Sequence, residues 1–522
     1  MAELPVSNRL VRVLSGAGMD LFSYLLSGFR VILDPTNLLF CFIGVVVGTL
    51  IGVLPGIGPI GAIALLLPAT FKITPTSSII MLAGIFYGAQ YGGSTTSILV
   101  NIPGEASSIM TCLDGYQMAR RGRAGPALSI AAWGSFIAGT FGVIGLMLIA
   151  NPLANFALSF GPPEYFALVC MGLVILTYLA QGSMLKALMM GLVGILIGNV
   201  GLDIFTSLPR FTLGFTELED GVGIAPLAMG LFGVSEVLIN IEQTAEREIF
   251  QTRITHLWPS LKDWGASKWP IVRGSVLGFF LGILPGGGPV LASFLSYAIE
   301  KKISKHPEEF GKGAIAGVAA PESANNAAAQ GGFVPLLSLG VPCNPTMALL
   351  FSALIIHGVK PGPLFIQDSP DIFWGLIASM YIGNALLLVL NLPLIGLWVK
   401  VLKIPYWILF PLILLFCLIG AYSVSNSIFD LHLMIIFGVM GYLMRKYNYE
   451  GSTLILAYVL GPLLEKALRQ SLLMSQGSFS IFVTRPISAV MLGIALLVLL
   501  SAIFPYFKKQ RQKYEEFQES AD

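Results

Sequence analysis

The chain has 522 residues, 55% hydrophobic and only 11% charged, with a mean hydropathy of +0.81 and a formal net charge of +2. Soluble domains carry roughly 25% charged residues, so a soluble globule is excluded. The Lys and Arg residues sit in short loops and form no continuous basic face, which argues against nucleic acid as a partner.

Apolar runs of about 20 residues, enough to cross a hydrocarbon core, recur from Leu38 to Phe504 and predict about ten to twelve spans in the lipid bilayer. Before them, Arg9 and Arg12 precede no compact apolar run with a small-residue cleavage site, so the N-terminus is not read as a cleaved signal. The first span, Asn37 to Leu54, is expected to end in the helix breaker Gly52-Val53-Leu54-Pro55-Gly56-Ile57-Gly58-Pro59. A short segment, Ile60 to Phe71, is expected to re-enter, and a second helix to run into Gly92-Gly93 and stop at Ile102-Pro103. Smoother helices follow at Leu128 to Ala150, Tyr165 to Leu179, Leu185 to Val200 and Ile224 to Ile239. The stretch Glu242 to Trp269, with Arg247, Arg253, Lys262 and Lys268, reads as cytoplasmic. The order then repeats: a span from Val272 to Leu284, the breaker Gly282-Ile283-Leu284-Pro285-Gly286-Gly287-Gly288-Pro289, a re-entrant Val290 to Ile299, and a helix through Gly331-Gly332 to Val341-Pro342. Smooth counterparts run from Phe373 to Leu464, and a last helix, Ile487 to Phe504, lies outside the repeat.

Two further correspondences reinforce the duplication. Gly191-Leu192-Val193-Gly194 resembles Gly438-Val439-Met440-Gly441, and Leu227-Ala228, Leu231 and Glu236 recur as Leu456-Ala457, Leu460 and Glu465. Flanking charge indicates the relative orientation of the copies. Arg120, Arg121 and Arg123 follow the first copy, whereas Lys360, Asp368 and Asp371 occupy the matching loop of the second. Asp203, Glu217, Glu219 and Asp220 in the first half correspond to Arg445 and Lys446 in the second. Because Lys and Arg concentrate in cytoplasmic loops, this alternation predicts inverted topology. Lys466, Arg469 and Arg485 disagree, falling in a loop expected on the outer side. The fold class is therefore an all-α polytopic membrane protein of two inverted-topology repeats with broken or re-entrant helices. Its expected parts are an N-terminal segment 1–36, a first repeat 37–243, a cytoplasmic linker 244–270, a second repeat 271–470, and an extra helix with a basic cytoplasmic tail at 471–522.

Lipid offers no partner to unpaired backbone groups, so duplicated breaks at membrane depth mark a buried or wet site and point to transport. Helix N-termini present N–H donors suited to an anion, and Ser94 to Ser97 beyond Gly92-Gly93, with Asn344 beyond Pro342, are expected to supply them. Freed carbonyls, hydroxyls and carboxylates suit a cation. The expected substrate residues are Gly56, Gly58, Ser94, Thr95, Thr96, Asn101, Pro103, Gly104, Gly286, Gly288, Asn325, Asn326, Pro342 and Asn344. Those expected for a coupling cation are Glu105, Glu322, Ser323 and Asn325, with sodium as the one metal considered. The bland alternatives stand beside these: Ser and Thr often bond their own helix, and Glu105 equally suits a helix cap.

Several classes lack their devices. The five cysteines show no redox or zinc spacing, and His256, His306, His357 and His432 no metal spacing. No phosphate-binding Gly-Lys-Ser/Thr loop, metalloprotease helix or nucleophile elbow occurs, so the chain is read as a non-enzyme without an organic cofactor.

Four irregular stretches carry a family likeness: Gly52 to Pro59, Tyr87 to Leu99, Asn101-Ile102-Pro103-Gly104-Glu105, and Pro321-Glu322-Ser323-Ala324-Asn325-Asn326-Ala327-Ala328. They resemble the TctA family, the large membrane subunit of the tripartite tricarboxylate transporters, from about Leu38 to Leu464, with no departure in these motifs. The resemblance implies a secondary importer of citrate or other organic acids in the bacterial inner membrane. It also implies a small membrane subunit, a periplasmic solute-binding protein, and coupling to sodium or protons. Alternating access about a midplane site is the mechanism expected. A passive anion channel and the permease of an ATP-driven importer remain as alternatives.

Overall fold

The structure, a computed structural model, describes residues 21–54, 58–179, 183–242, 257–402 and 406–501. In chain order the first part comprises α1 (Leu21–Ile32), α2 (Pro35–Val53), α3 (Gly58–Leu66), α4 (Pro75–Val100), α5 (Ile109–Arg120), α6 (Ala124–Ala157), α7 (Pro162–Leu179), α8 (Met184–Gly198) and α9 (Ile224–Glu242). The second comprises α10 (Leu261–Ile283), α11 (Gly288–Ile303), α12 (Ala316–Gly331), α13 (Phe333–Leu339), α14 (Pro345–Ile356), α15 (Pro370–Asn391), α16 (Ile395–Val401), α17 (Tyr406–Ser425), α18 (Ile428–Lys446), α19 (Gly451–Met474) and α20 (Pro486–Ser501). Two strands, β1 (Gly201–Leu202) and β2 (Pro209–Arg210), pair antiparallel, a small exception to the all-α expectation. Prolines open α2, α4 and α14, where the fixed φ suits a first turn and the missing N–H is not needed. Their caps are the side chains of Asp34, Thr74 and Asn344.

Among the described residues, seven helices are long and apolar enough to cross a membrane: α2, α6, α7, α9, α15, α18 and α19. The ten to twelve spans expected are met by these only in part, because shorter apolar helices such as α8 and α14 and the more polar α4 and α10 complete the bundle. Many polar residues are buried within the apolar core, while large apolar residues also face outward. Ile137, Phe141, Ile144 and Leu148 form an exposed stripe along α6, while Ser94, Thr96, Glu322 and Asn325 are buried. This inside-polar arrangement is that of a chain solvated by lipid.

The closest helix pairs occur twice. A Cβ at Gly44, Gly48 or Gly52 of α2 would lie 2.4, 2.6 or 2.2 Å from the carbonyl oxygens of Met81, Ile85 and Ala89 in α4. A Cβ at Gly274, Gly278 or Gly282 of α10 would lie 2.6, 2.1 or 2.3 Å from those of Ala320, Ala324 and Ala328 in α12. Backbone contact at that range admits glycine alone, the device by which membrane helices gain dispersion energy where lipid removes the hydrophobic drive. Across the two parts, α6 packs on α12 and α15 on α4, so the long helix of each part covers the broken pair of the other. Asn384 of α15 fixes this junction, accepting a bond from Tyr91 of α4 and donating to the Phe136 carbonyl (2.8 Å) and Thr140 (3.0 Å) of α6.

The same exchange recurs in the outer helices, where α9 packs on α18 and α19 on α8. Glu236 of α9 pairs with Arg445 of α18, and its counterpart Glu465 of α19 pairs with Arg210 of β2 at 2.6 Å. Arg469 adds bonds to Asp203 (2.5 Å) and Glu465 (3.0 Å) and lies over the Phe205 ring at 4.4 Å. Lys466 and Arg469 are in α19, not in a loop, and Arg469 is neutralised by acids of the first part. Arg485 likewise lies 3.8 Å from Glu164.

Asp114, fully buried in α5, clamps the segment leading into α12. Its Oδ1 accepts N–H bonds from Gly311 (2.9 Å), Gly313 (2.7 Å) and Ala314 (2.8 Å), and its Oδ2 accepts from the Tyr297 hydroxyl (2.9 Å).

Some local expectations need correction. Gly92-Gly93 does not break its helix, since α4 runs unbroken to Val100. These two glycines instead admit neighbours: a Cβ at Gly92 would meet the Thr49 carbonyl at 2.3 Å, and one at Gly93 would meet Glu105 Cγ at 2.7 Å. Ser94 to Ser97 therefore lie within a helix, where their N–H groups are engaged, and offer no free N-terminal donors. Gly331-Gly332 does interrupt, at the boundary of α12 and α13. The span expected from Val272 begins at Leu261, inside the stretch read as linker, under a Ser260–Asp263 capping box. The breaker residues 55–57 lie outside the described residues.

Candidate functional site

A cavity of about 780 Å³ lies where the two broken regions face each other. One side is formed by Gly58-Pro59-Ile60 and Pro103 to Ser107, the other by Gly286 to Leu291 and Asn344 to Thr346. Phe86 and Gln90 of α4, Leu176 and Leu179 of α7, Phe232 of α9 and Arg445 of α18 complete the wall.

Sequence makes this geometry directly. Gly58 and Gly288 open α3 and α11 with φ of +63° and +64°, a left-handed conformation that glycine adopts without a Cβ penalty. Pro59 and Pro289 then set the first helical turns. On the return paths, Glu105 caps the helical run entering α5 and Asn344 caps α14, its Oδ1 accepting the Met347 N–H at 2.9 Å. Gly286 N–H donates to the Cys343 carbonyl at 2.8 Å, tying the breaker of the second part to its return path. In the first part, Thr96 donates to the Val53 carbonyl at 2.6 Å. Four helix starts thus converge on one cavity, two from each part, and each presents first-turn N–H groups and partial positive charge.

A buried polar layer runs inward from the cavity wall. The Ser107 hydroxyl lies within bonding distance of Glu105 and, at 2.8 Å, of Gln90 Oε1, and accepts from Asn325 Nδ2 at 3.4 Å. Asn325 also donates to Glu322 at 3.4 Å, and Ser94 and Thr111 donate to the same carboxylate. Asn326 donates to Ser135 at 2.8 Å and to the Glu322 carbonyl at 3.0 Å. Among the described residues, neither Glu105 nor Glu322 forms an ion pair with a basic side chain. An uncompensated carboxylate in such surroundings is tolerated when it holds a proton or a bound cation.

The expected residues divide by position. Gly58, Pro103, Gly104, Glu105, Gly286, Gly288 and Asn344 line the cavity. Ser94, Glu322, Asn325 and Asn326 form the layer behind it. Three others are turned elsewhere, Thr95 toward α6, Thr96 to the Val53 carbonyl and Ser323 toward Gly134, and Pro342 is buried but does not line the cavity. Asn101 is an exposed, left-handed cap at the end of α4 (φ +59°), and Gly56 lies outside the described residues. Sequence reasoning missed Ser107, Thr111, Phe232 and the role of Arg445. Phe232 comes from a π-helical turn, Met229–Val234, that no composition signal marks. Among the described residues no group of three His, Cys, Asp or Glu side chains is arranged to hold a metal ion.

The profile of the tripartite tricarboxylate transporter TctA family matches residues 38–456. The "uncharacterized 52.8 kDa protein in TAR-I ttuC' 3'region" of Agrobacterium vitis is 54% identical over 495 residues, which take in 95% of this chain and 99% of that protein. The "uncharacterized protein in TAR-II ttuC' 3'region" of the same organism is 54% identical over 236 residues, 45% of this chain and 98% of that protein. No solved structure matches the chain.

Proposed function

The chain belongs to the tripartite tricarboxylate transporter TctA family, and from that premise we propose that it is the large membrane subunit of a cation-coupled importer of tricarboxylates or related organic acids. The observation that carries this reading is the convergence of four helix starts, drawn from both parts of the chain, on one cavity of about 780 Å³. A carboxylate needs donors at membrane depth, and paired helix N-termini supply them without the desolvation cost of several buried cations.

The uncompensated acids Glu105 and Glu322, bridged by Ser107 and Asn325, are the proposed seat of the coupling sodium ion or proton. Neutralising this layer and filling the cavity would then favour one another, which is the linkage that symport requires. The repeated glycine contacts of α2 with α4 and of α10 with α12 support two related halves. The alternating loop charges support their inversion, and with it alternating access about a midplane site. A small membrane subunit and a periplasmic solute-binding protein in a bacterial inner membrane complete the proposed system.

The test is uptake of labelled citrate into proteoliposomes holding this chain, the small subunit and the solute-binding protein. Accumulation against the citrate gradient, driven by an imposed sodium or proton gradient, is expected. Uptake driven by ATP and indifferent to both gradients, or flux that never saturates and never accumulates, would overturn the proposal.

A further inference from the structure

Arg445 lines the cavity together with the acids Glu105 and Glu450, and it is the cation among the described lining residues. It lies in the last turn of α18 with its side chain 43% exposed, while its partner Glu236 on α9 is buried, 8% exposed, and is also held by Asn240 Nδ2 at 2.8 Å. The sequence duplication supplies an internal comparison. Glu465, the counterpart of Glu236, pairs with Arg210, but that arginine does not line the cavity. Pairing of outer helices accounts for both ion pairs; it does not account for placing one of them on the cavity wall. The π-helical turn just before Glu236 gives the second observation. It turns Phe232 into the cavity and sets Glu236 one turn further along the same helix, and π turns recur where helices are reshaped for function.

We infer that Arg445 is a substrate-carboxylate ligand at the cavity wall, held in readiness by Glu236 and exchanged from it to the acid that occupies the cavity. Guanidinium presents five donors in a planar fork and can receive a carboxylate through two parallel bonds. While Arg445 holds substrate, Glu236 keeps the Asn240 bond, so the exchange leaves no buried carboxylate without a donor. The inference rests on the carboxylate-transport reading above and assigns to it a specific anion-binding side chain.

The experiment measures citrate binding to the purified transporter complex, with melting temperature recorded for every variant. Arg445→Gln should weaken binding at least tenfold. Arg445→Lys keeps the charge but not the fork, and should weaken it severalfold with an unchanged melting temperature. Glu236→Gln removes the competing acid and should tighten binding about threefold, the opposite direction. Arg210→Gln, the duplicated pair's control, should lower the melting temperature without moving affinity. Wild-type affinity in Arg445→Gln and Arg445→Lys, or parallel losses in Arg445→Gln and Glu236→Gln, would overturn the inference. A wild-type complex that binds none of citrate, succinate and malate would overturn it together with the proposed function; binding that persists in the Arg445 variants overturns the inference alone.

Discussion

Thr111 donates its hydroxyl bond to the carboxylate of Glu322, joining α5 of the first part to α12 of the second at full burial. A carboxylate held by Thr111, Ser94 and Asn325 has neutral donors and, among the described residues, no ion pair with a cation. In the coupling role proposed above, its charge state follows the occupancy of the layer.

Glu322→Gln keeps the shape and the ability to accept hydrogen bonds while removing the charge. The variant is expected to fold, to exchange citrate across a membrane at equal concentrations, and to lose accumulation driven by a cation gradient. Counterflow and gradient-driven uptake in the same proteoliposomes check this; retained accumulation would place the coupling ion elsewhere.

Gly278 and Ala324 set a packing test. A Cβ at position 278 would stand 2.1 Å from the Ala324 carbonyl, so Gly278→Ala must push α10 away from α12. The expected loss is roughly 1–3 kcal/mol or more, as for overpacked interiors. The equivalent Gly48→Ala in α2 should act in the same way, and a melting series in detergent compares the two with a substitution at exposed Gly396, where a Cβ meets nothing.

Asp114 should prove a structural anchor. Asp114→Ala removes the acceptor of the Gly311, Gly313 and Ala314 N–H groups, of which that of Ala314 is buried, and a loss of about 1–3 kcal/mol is the expected outcome. Faster proteolysis or hydrogen exchange in residues 304–316 is the local readout.

The loop of β1 and β2 should respond to acid. Arg469, then the backbone N–H groups of Thr206 and Phe205, hold Asp203 below the usual aspartate range. A lowered carboxylate adds stability that is complete above the unfolded value, about 3.9, and is lost as pH falls through the lower folded value. Hydrogen exchange in residues 201–220, corrected for intrinsic rate, should be equally protected at pH 7 and pH 5 and lose protection only in strong acid. In Arg469→Gln the loss should begin at higher pH.

Asn101 separates a ligand from a cap. Its left-handed backbone (φ +59°) and exposed position at the end of α4 make Asn101→Gly a transporting protein. Asn101→Ala should lose about 1 kcal/mol of stability from backbone strain, with citrate affinity unchanged in whatever protein folds.

The positions of breaks were legible because glycine and proline act locally. Gly58, Gly288 and Asn344 needed no tertiary information to be placed at helix starts, and all line the cavity. Gly92-Gly93 misled for a tertiary reason: the same absence of a side chain that permits a break also permits close approach, and only the neighbouring α2 and Glu105 decide between them. Thr96 and Ser323 carried the right chemistry but face a carbonyl and a helix wall, since direction around a helix depends on packing partners far along the chain. Arg445 was visible as loop charge, yet its place at the cavity follows from the packing of α9 on α18.

The crossed covering of α12 by α6 and of α4 by α15 carries a mechanical consequence. Cutting the molecule along its sequence midpoint would strip both broken pairs of their outer layer at once, so any large displacement must carry the interleaved core as one piece. In the alternating-access reading proposed above, the hinge would then lie between that core and the outer α8–α19 and α9–α18 pairs, where Arg445 stands on the dividing line.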